Sequence, residues 1–310
     1  MEKYCLFSRF QESAKAHPSA VACQIKEGNA YQTFTYARIY ELSLKFAHLL
    51  RQEGLAKGER VAILLENSPF WPSVYFGIMA AGAAAVPIDP KLTPYEVNNI
   101  IRDSGTRMLF SSAELYEPLE PRLKNILSFK KAFLYPFKEI DTTEPKEISV
   151  ENNPYDIASL LYTSGTTASP KGVMLTHKNF SSNFDSLFSL KIILPQDNII
   201  ALLPLHHSYP FMVTLITPLF TGAKITFLNS LKSEDLLKCF EETNATILVG
   251  VPQLYHLLHK AIFEKIPHPL ILLPILKAGN LARKVLRLNL NKILLKKLHQ
   301  KFGSALRFFA

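Results

Sequence analysis

Cysteine is scarce: the 310 residues hold three, Cys5, Cys23 and Cys239, widely spaced and with no CxxC or CxxH pairing. An odd, scattered set argues against a disulfide scaffold, a zinc site and secretion. The opening Met1-Glu2-Lys3-Tyr4-Cys5 places an acid where a signal peptide has its basic region, and no apolar run follows. The expected compartment is therefore the cytoplasm. Long uncharged stretches are few, and the two that exist, Asn67 to Ile88 and Asn198 to Ala223, are broken up. The first contains Pro69, Pro72, Gly77, Gly82 and Pro87; the second contains Pro204, His206, His207, Pro210 and Pro218. Such punctuation fits buried strand and helix better than a membrane span. No repeat of fixed period is present, and the Gly-x4-Gly-Lys-Ser/Thr nucleotide loop fits nowhere.

Acidic residues are missing from the final stretch. None follows Glu264, whereas Lys265, Lys277, Arg283, Lys284, Arg287, Lys292, Lys296, Lys297, Lys301 and Arg307 are all basic. The formal excess of nine positive charges is thus local, because residues 1 to 264 sum to −1. Between Ala278 and Leu298, Leu281, Val285 and Leu288, with Leu286, Leu290, Ile293, Leu294 and Leu298, recur three and four apart among the basic residues. This pattern describes a basic amphipathic helix. Its face is expected either to meet an anionic membrane or acidic partner through 277–301, which would add a peripheral membrane location to the cytoplasmic one, or to be plainly solvated. Without aromatic interleaving or a nucleic-acid motif, charge alone does not support nucleic-acid binding.

What is abundant is apolar residue, 48% against 20% charged, the composition of a folded protein and not of a disordered one. At this length a chain buries about 75% of the surface its unfolded form exposes. Helical and strand periodicities alternate. A helix runs from Thr35, its N-cap, to a stop at Gly54, and strand Arg60–Leu65, helix Trp71–Ala81, strand Ala84–Pro87 and helix Pro94–Asp103 follow. After an irregular connection over 112–155, the rhythm returns. Strand Ile157–Tyr162 is followed by a helix capped by Thr176, strands Ile199–Leu203 and Lys224–Leu228, a helix capped by Ser233, and strand Thr246–Val249. The alternation predicts an α/β fold of stacked, parallel-rich sheets flanked by helices.

The densest chemistry lies just after the strand at 157–162, in Tyr162-Thr163-Ser164-Gly165-Thr166-Thr167-Ala168-Ser169-Pro170-Lys171-Gly172-Val173. Hydroxyls and backbone N–H groups in a turn, with the point charge of Lys171, suit a phosphate. Any four of these residues alone would pass for a surface turn; the whole stretch in register does not. It resembles the phosphate loop of the AMP-forming adenylating superfamily, which includes acyl-CoA synthetases, luciferases and peptide-synthetase adenylation domains. The one departure at a specified position is Ala168, where the family has Gly; if positive φ is needed there, the alanine strains the loop. The tail Met174-Leu175-Thr176-His177-Lys178-Asn179 matches as well. So do the early segments Phe34-Thr35-Tyr36 with Ala47, and Ala81 to Pro90. Leu203-Pro204-Leu205-His206-His207 resembles the segment at the family's acid pocket, with His207 in the histidine position and His206 structural. Val251-Pro252 and the ending Leu306-Arg307-Phe308-Phe309-Ala310 also fit, the latter looking like long-chain acyl synthetases.

The resemblance implies ATP-dependent activation of a fatty acid to an acyl adenylate and its transfer to a thiol, of CoA or of acyl carrier protein, with Mg2+ as cofactor. Thr163, Ser164, Gly165, Thr166, Thr167 and Lys171 would then hold the ATP phosphates, and His207 would line the acyl pocket. No metal-ligating residue is assigned. The family's catalytic Glu and Lys match nothing in these 310 residues, so residues 1–310 are expected to be an incomplete N-terminal AMP-binding domain with the mobile C-terminal domain absent. Two alternatives share the residues: an inactive remnant that binds ATP or acyl chains, and an aryl or amino acid ligase.

Overall fold

The computed structural model describes residues 4–141, 143–144, 148, 152–163, 171–256 and 305–309. The first half comprises α1 (Leu6–Ala16), β1 (Val21–Glu27), β2 (Ala30–Thr35), α2 (Tyr36–Gln52), β3 (Arg60–Leu64), α3 (Phe70–Ala80), β4 (Ala84–Pro87), α4 (Pro94–Ser104), β5 (Thr106–Ser112), short helices α5 (Ala113–Tyr116) and α6 (Glu120–Leu123), and β6 (Lys131–Tyr135). A 3-10 turn at Lys138–Asp141 closes it. The second half contains β7 (Ile157–Thr163), β8 (Lys171–Thr176), α7 (His177–Ser189), β9 (Asn198–Ala201), α8 (Ser208–Pro210), a π turn at Phe211–Ile216, α9 (Thr217–Thr221), β10 (Lys224–Phe227), α10 (Ser233–Thr243), β11 (Ile247–Leu248) and β12 (Phe308–Phe309).

Two six-stranded sheets result, ordered β12-β11-β9-β10-β1-β2 and β6-β5-β3-β4-β7-β8. All pairings are parallel except the hairpins β1–β2 and β7–β8, each at one edge. Strand β3 shows why both faces are covered: Val61 and Ile63 belong to the large cluster between the sheets, Ala62 and Leu64 to a second cluster on the far side with α4. Neighbouring side chains leave a strand on opposite faces, so a continuous apolar run must be buried on both. Helices α1, α2 and α3 fill the layer between the sheets, where α3 is buried almost throughout. Its Gly77 lets α2 come close, since a Cβ there would lie 2.6 Å from Phe46 Cβ and 3.0 Å from the Ser43 carbonyl. Outside, α4 covers one sheet and α10 the other. The expected α/β fold of parallel-rich sheets flanked by helices is the one observed.

Local expectations fare unevenly. Thr35 caps α2, accepting from Arg38 N–H, and Gly54 follows the helix end with φ of +74°. Thr176 caps α7 in a reciprocal box with Asn179. Ser233 does not cap α10: it is the first helical residue, and Lys232 occupies the capping position without a side-chain bond. The strand expected at Thr246–Val249 is confined to Ile247–Leu248; Thr246 leads into it, donating its N–H to the Asn198 carbonyl at 2.8 Å and accepting from Arg307 N–H at 2.7 Å, while its hydroxyl donates to Asp197. The connection 112–155 contains β6, paired in parallel with β5. Hairpins β1–β2 and β7–β8 were not expected.

Candidate functional site

Because each sheet is largely parallel, the carboxyl ends of its strands point the same way, and the loops leaving them define one working face. From β3 come Leu65 to Asn67, from β4 Ile88 to Lys91, from β9 Leu202 to His206, from β10 Asn229 and Leu231, and from the segment after β11 Val251, Gln253 and Leu254. Together with Trp71 of α3 these loops enclose a cavity of about 420 Å3. Strand β7 ends on the same side of its sheet as β4, to which it is parallel.

Thr163 is the last residue of β7 and Lys171 the first of β8, and the two are register partners, so they form the base of the hairpin whose connecting residues the sequence marks as a phosphate loop. Ser164, Gly165, Thr166 and Thr167 lie outside the described residues, as does Ala168. Lys171 is exposed. Below the base, the Tyr162 hydroxyl donates to Asp103 at 2.5 Å, tying the hairpin to α4. Burial and this carboxylate push the Tyr162 phenol above its ordinary value. Gly172 faces the same ring, which lies 3.1 Å from where a Cβ would stand.

The structure sets the two histidines in different surroundings. His206, expected to be structural, lines the large cavity, with its side chain 8% exposed and its Nε2 3.6 Å from Asp89. His207, expected to line the acyl pocket, is exposed and stands immediately before α8. The two Nε2 atoms are 3.1 Å apart. Burial first, and then the neighbouring imidazole, hold His206 down to about 4. It is a neutral acceptor or donor at neutral pH, not a cation.

Two residues beyond His207, Tyr209 borders a second cavity of about 210 Å3, lined also by Leu187, Ile193, Val213, Val249 and Phe308. Its wall is almost wholly apolar, and α7, the π turn, β11 and β12 each contribute to it. Tyr209, Val213 and Phe308 were missed as pocket residues, since an isolated apolar residue carries no mark of the cavity it borders. Among the described residues, no three His, Cys, Asp or Glu side chains converge on a point able to hold a metal ion. They present no preformed ligand cluster for magnesium.

A family model described as "AMP-binding enzyme" matches residues 10–308. The chain belongs to this family. Among AMP-binding enzymes it is 29% identical over 262 residues to 4-coumarate–CoA ligase 3 of Oryza sativa subsp. japonica, covering 81% of this chain and 46% of that protein. To the fatty acid–[acyl-carrier-protein] ligase ScoC of Streptomyces coeruleorubidus it is 37% identical over 164 residues, 51% of this chain and 31% of the relative. Among solved structures, a Mycobacterium tuberculosis fatty acyl CoA synthetase superposes with a TM-score of 0.77 at 23% identity, over 87% of this chain and 54% of that one. That likeness establishes the fold. The chain spans less than half the length of these two curated relatives.

Proposed function

We propose that this AMP-binding chain forms the ATP-phosphate and acid-binding front of a ligase that activates a fatty acid as its adenylate and passes it to the thiol of CoA or of acyl carrier protein. The observation that carries the reading is the apolar cavity at Tyr209, in the segment that follows the histidine pair. A carboxylate is a poor electrophile because its leaving group would be oxide. Attack of a carboxylate oxygen on the α-phosphorus of ATP breaks the bond to pyrophosphate and yields an acyl adenylate; a thiol sulfur then attacks the acyl carbon, and AMP leaves. Charge accumulates at the phosphates in the first step, so preorganised donors there contribute most. Thr163 and Lys171, with Ser164, Gly165, Thr166 and Thr167 between them, are assigned to hold the β- and γ-phosphates. Lys171 supplies a point charge and the loop a set of directional donors. Magnesium would accompany ATP and add Lewis-acid polarisation of the phosphoryl oxygens.

The acid's hydrocarbon tail is assigned to the 210 Å3 cavity. Each buried methylene contributes about 0.8 kcal/mol there, and the wall offers little to reward a phenol or an amino group. The aryl-acid alternative is supported by similarity to relatives named as 4-coumarate–CoA ligase and feruloyl-CoA synthase. Peripheral contact of 277–301 with an anionic membrane remains part of the proposal; that segment lies outside the described residues. Among the described residues, no helix is long and apolar enough to cross a membrane.

Calorimetric titration of the chain tests the acid assignment. Dodecanoate should bind with one-to-one stoichiometry and Val213→Trp, which fills the cavity, should weaken it at least about tenfold, or about 1.4 kcal/mol. Tighter binding of 4-coumarate than of dodecanoate would transfer the assignment to aryl acids, and an unaltered dodecanoate affinity in Val213→Trp would remove the tail from this cavity.

A further inference from the structure

Pro204 interrupts the segment that carries the histidines out of β9. It has no N–H, and the residues on either side of it, Leu203 and Leu205, lie beyond the last strand residue, Ala201, outside the parallel ladder with β10. One side chain from the other sheet meets both of them. Asn67, in the loop after β3, donates its Nδ2–H to the Leu203 carbonyl at 2.9 Å and accepts from the Leu205 N–H at 3.3 Å through Oδ1. An amide presents a donor and an acceptor side by side, as a peptide unit does, so Asn67 acts as a one-residue strand across the proline. It also borders the 420 Å3 cavity into which His206 faces.

We infer that Asn67 is a positioning residue: its two-pronged clamp on Leu203 and Leu205 couples the carboxyl end of β3 to that of β9 and fixes the His206–His207 pair over the cavity between the sheets. His206 follows Leu205 directly, so the direction of the Leu205 peptide sets where its imidazole goes. The ring then lies at 3.1 Å from His207 and 3.6 Å from Asp89. Asp89 is itself oriented by accepting from Lys91 N–H at 2.9 Å. The groups facing His206 are thus His207 on its own segment, Asp89 and Lys91 on the loop after β4, and Glu66 on the loop after β3 across the cavity. Without the clamp, the polar contact of His206 with Asp89 is what still ties the Pro204 segment to the second sheet among the described residues, and the Leu205 peptide that aims the ring is no longer held. The importance of the clamp for catalysis rests on the acid-activation reading; the clamp itself does not.

Histidine-labelled protein, followed by NMR across pH, separates local repositioning from general loss of structure, because the chain provides its own control. His177 is also held down to about 4 by burial, but it lies at the start of α7, bonded to Leu6 N–H and remote from Asn67. In Asn67→Ala, His206 should move by about one unit or more toward the ordinary value near 6.5 and lose its ring contact with His207, while His177 stays in place. Asn67→Leu, which keeps volume and loses both bonds, should do the same. An unmoved His206 with its ring contact intact in both variants overturns the proposal, as does joint movement of His206 and His177 in both, which would make Asn67 a general packing residue. Dodecanoate titration of the same variants reads the functional arm, with at least a fivefold weakening expected. A wild-type chain that binds no dodecanoate would sink the acid reading and leave the clamp to be judged on the histidines.

Discussion

His177 shows how a single side chain makes this protein sensitive to acid. Its ring is buried, and Nδ1 accepts from Leu6 N–H at 3.3 Å, joining α7 to α1. Burial disfavours the imidazolium and outweighs the opposite pull of Asp156, so the folded value lies near 4 against an unfolded value near 6.5. A folded value below the unfolded one means that the unfolded chain binds the extra proton. The stability contributed is complete above about 6.5 and is lost as pH falls from there toward 4. The thermal midpoint should therefore drop across this window. His177→Asn keeps a possible acceptor and removes the titration, so its midpoint should drop less steeply; equal slopes in the two proteins would contradict the assignment. At this scale the sequence was a partial guide. Thr163 and Lys171 stand out as phosphate-loop candidates because hydroxyls and a lysine crowd one stretch of sequence; the structure makes them register partners, and their role toward ATP belongs to the proposal. Asn67, Asp89 and Tyr209 were not assigned, because their roles depend on backbone groups and walls contributed by distant segments. A histidine pair likewise does not reveal in sequence which ring turns inward: His206 does, and His207 does not.

The elements are held by contacts that the sequence states unequally. Thr35 and Thr176 were legible as caps because a β-branched hydroxyl before a helical period has a short-range partner three residues on. Ser233 failed by the same rule, since helix formation begins one residue earlier than the hydroxyl suggests. Strand β6 was hidden in a connection containing prolines, and β8 in the tail of a motif read for its chemistry; both are recruited by neighbours, β5 and β7, whose pairing is not local. The α2–α3 contact depends on Gly77 in the same non-local way. Gly77→Ala would place a methyl 2.6 Å from Phe46 Cβ and 3.0 Å from a backbone oxygen, neither able to move freely inside the central layer. The expected cost is about 1–3 kcal/mol, from overpacking outweighing the helix propensity gained. Urea denaturation measures it, and a variant as stable as the wild type would show that the two helices can separate without loss.

At the scale of the molecule, the alternation of helical and strand periods was enough to specify parallel-rich sheets under helices, because each βαβ step has few alternatives. What it did not specify was the meeting of the two sheets. That meeting puts the loops after β3, β4, β9 and β10 around one cavity and makes the working face. Under the proposed function, ATP held from Thr163 to Lys171 and a fatty acid held in the Tyr209 cavity would form the substrate pair. The proposed ligase must use the two together. The most direct measurement is fatty-acid-dependent exchange of labelled pyrophosphate into ATP by the protein as its cells make it, with dodecanoate as the acid. Adenylate formation is reversible and precedes the thiol step, so exchange should appear with dodecanoate and no thiol present, and should disappear when the acid is omitted. Binding of both ATP and dodecanoate without any exchange would contradict the account, leaving a protein that holds the two substrates and joins nothing.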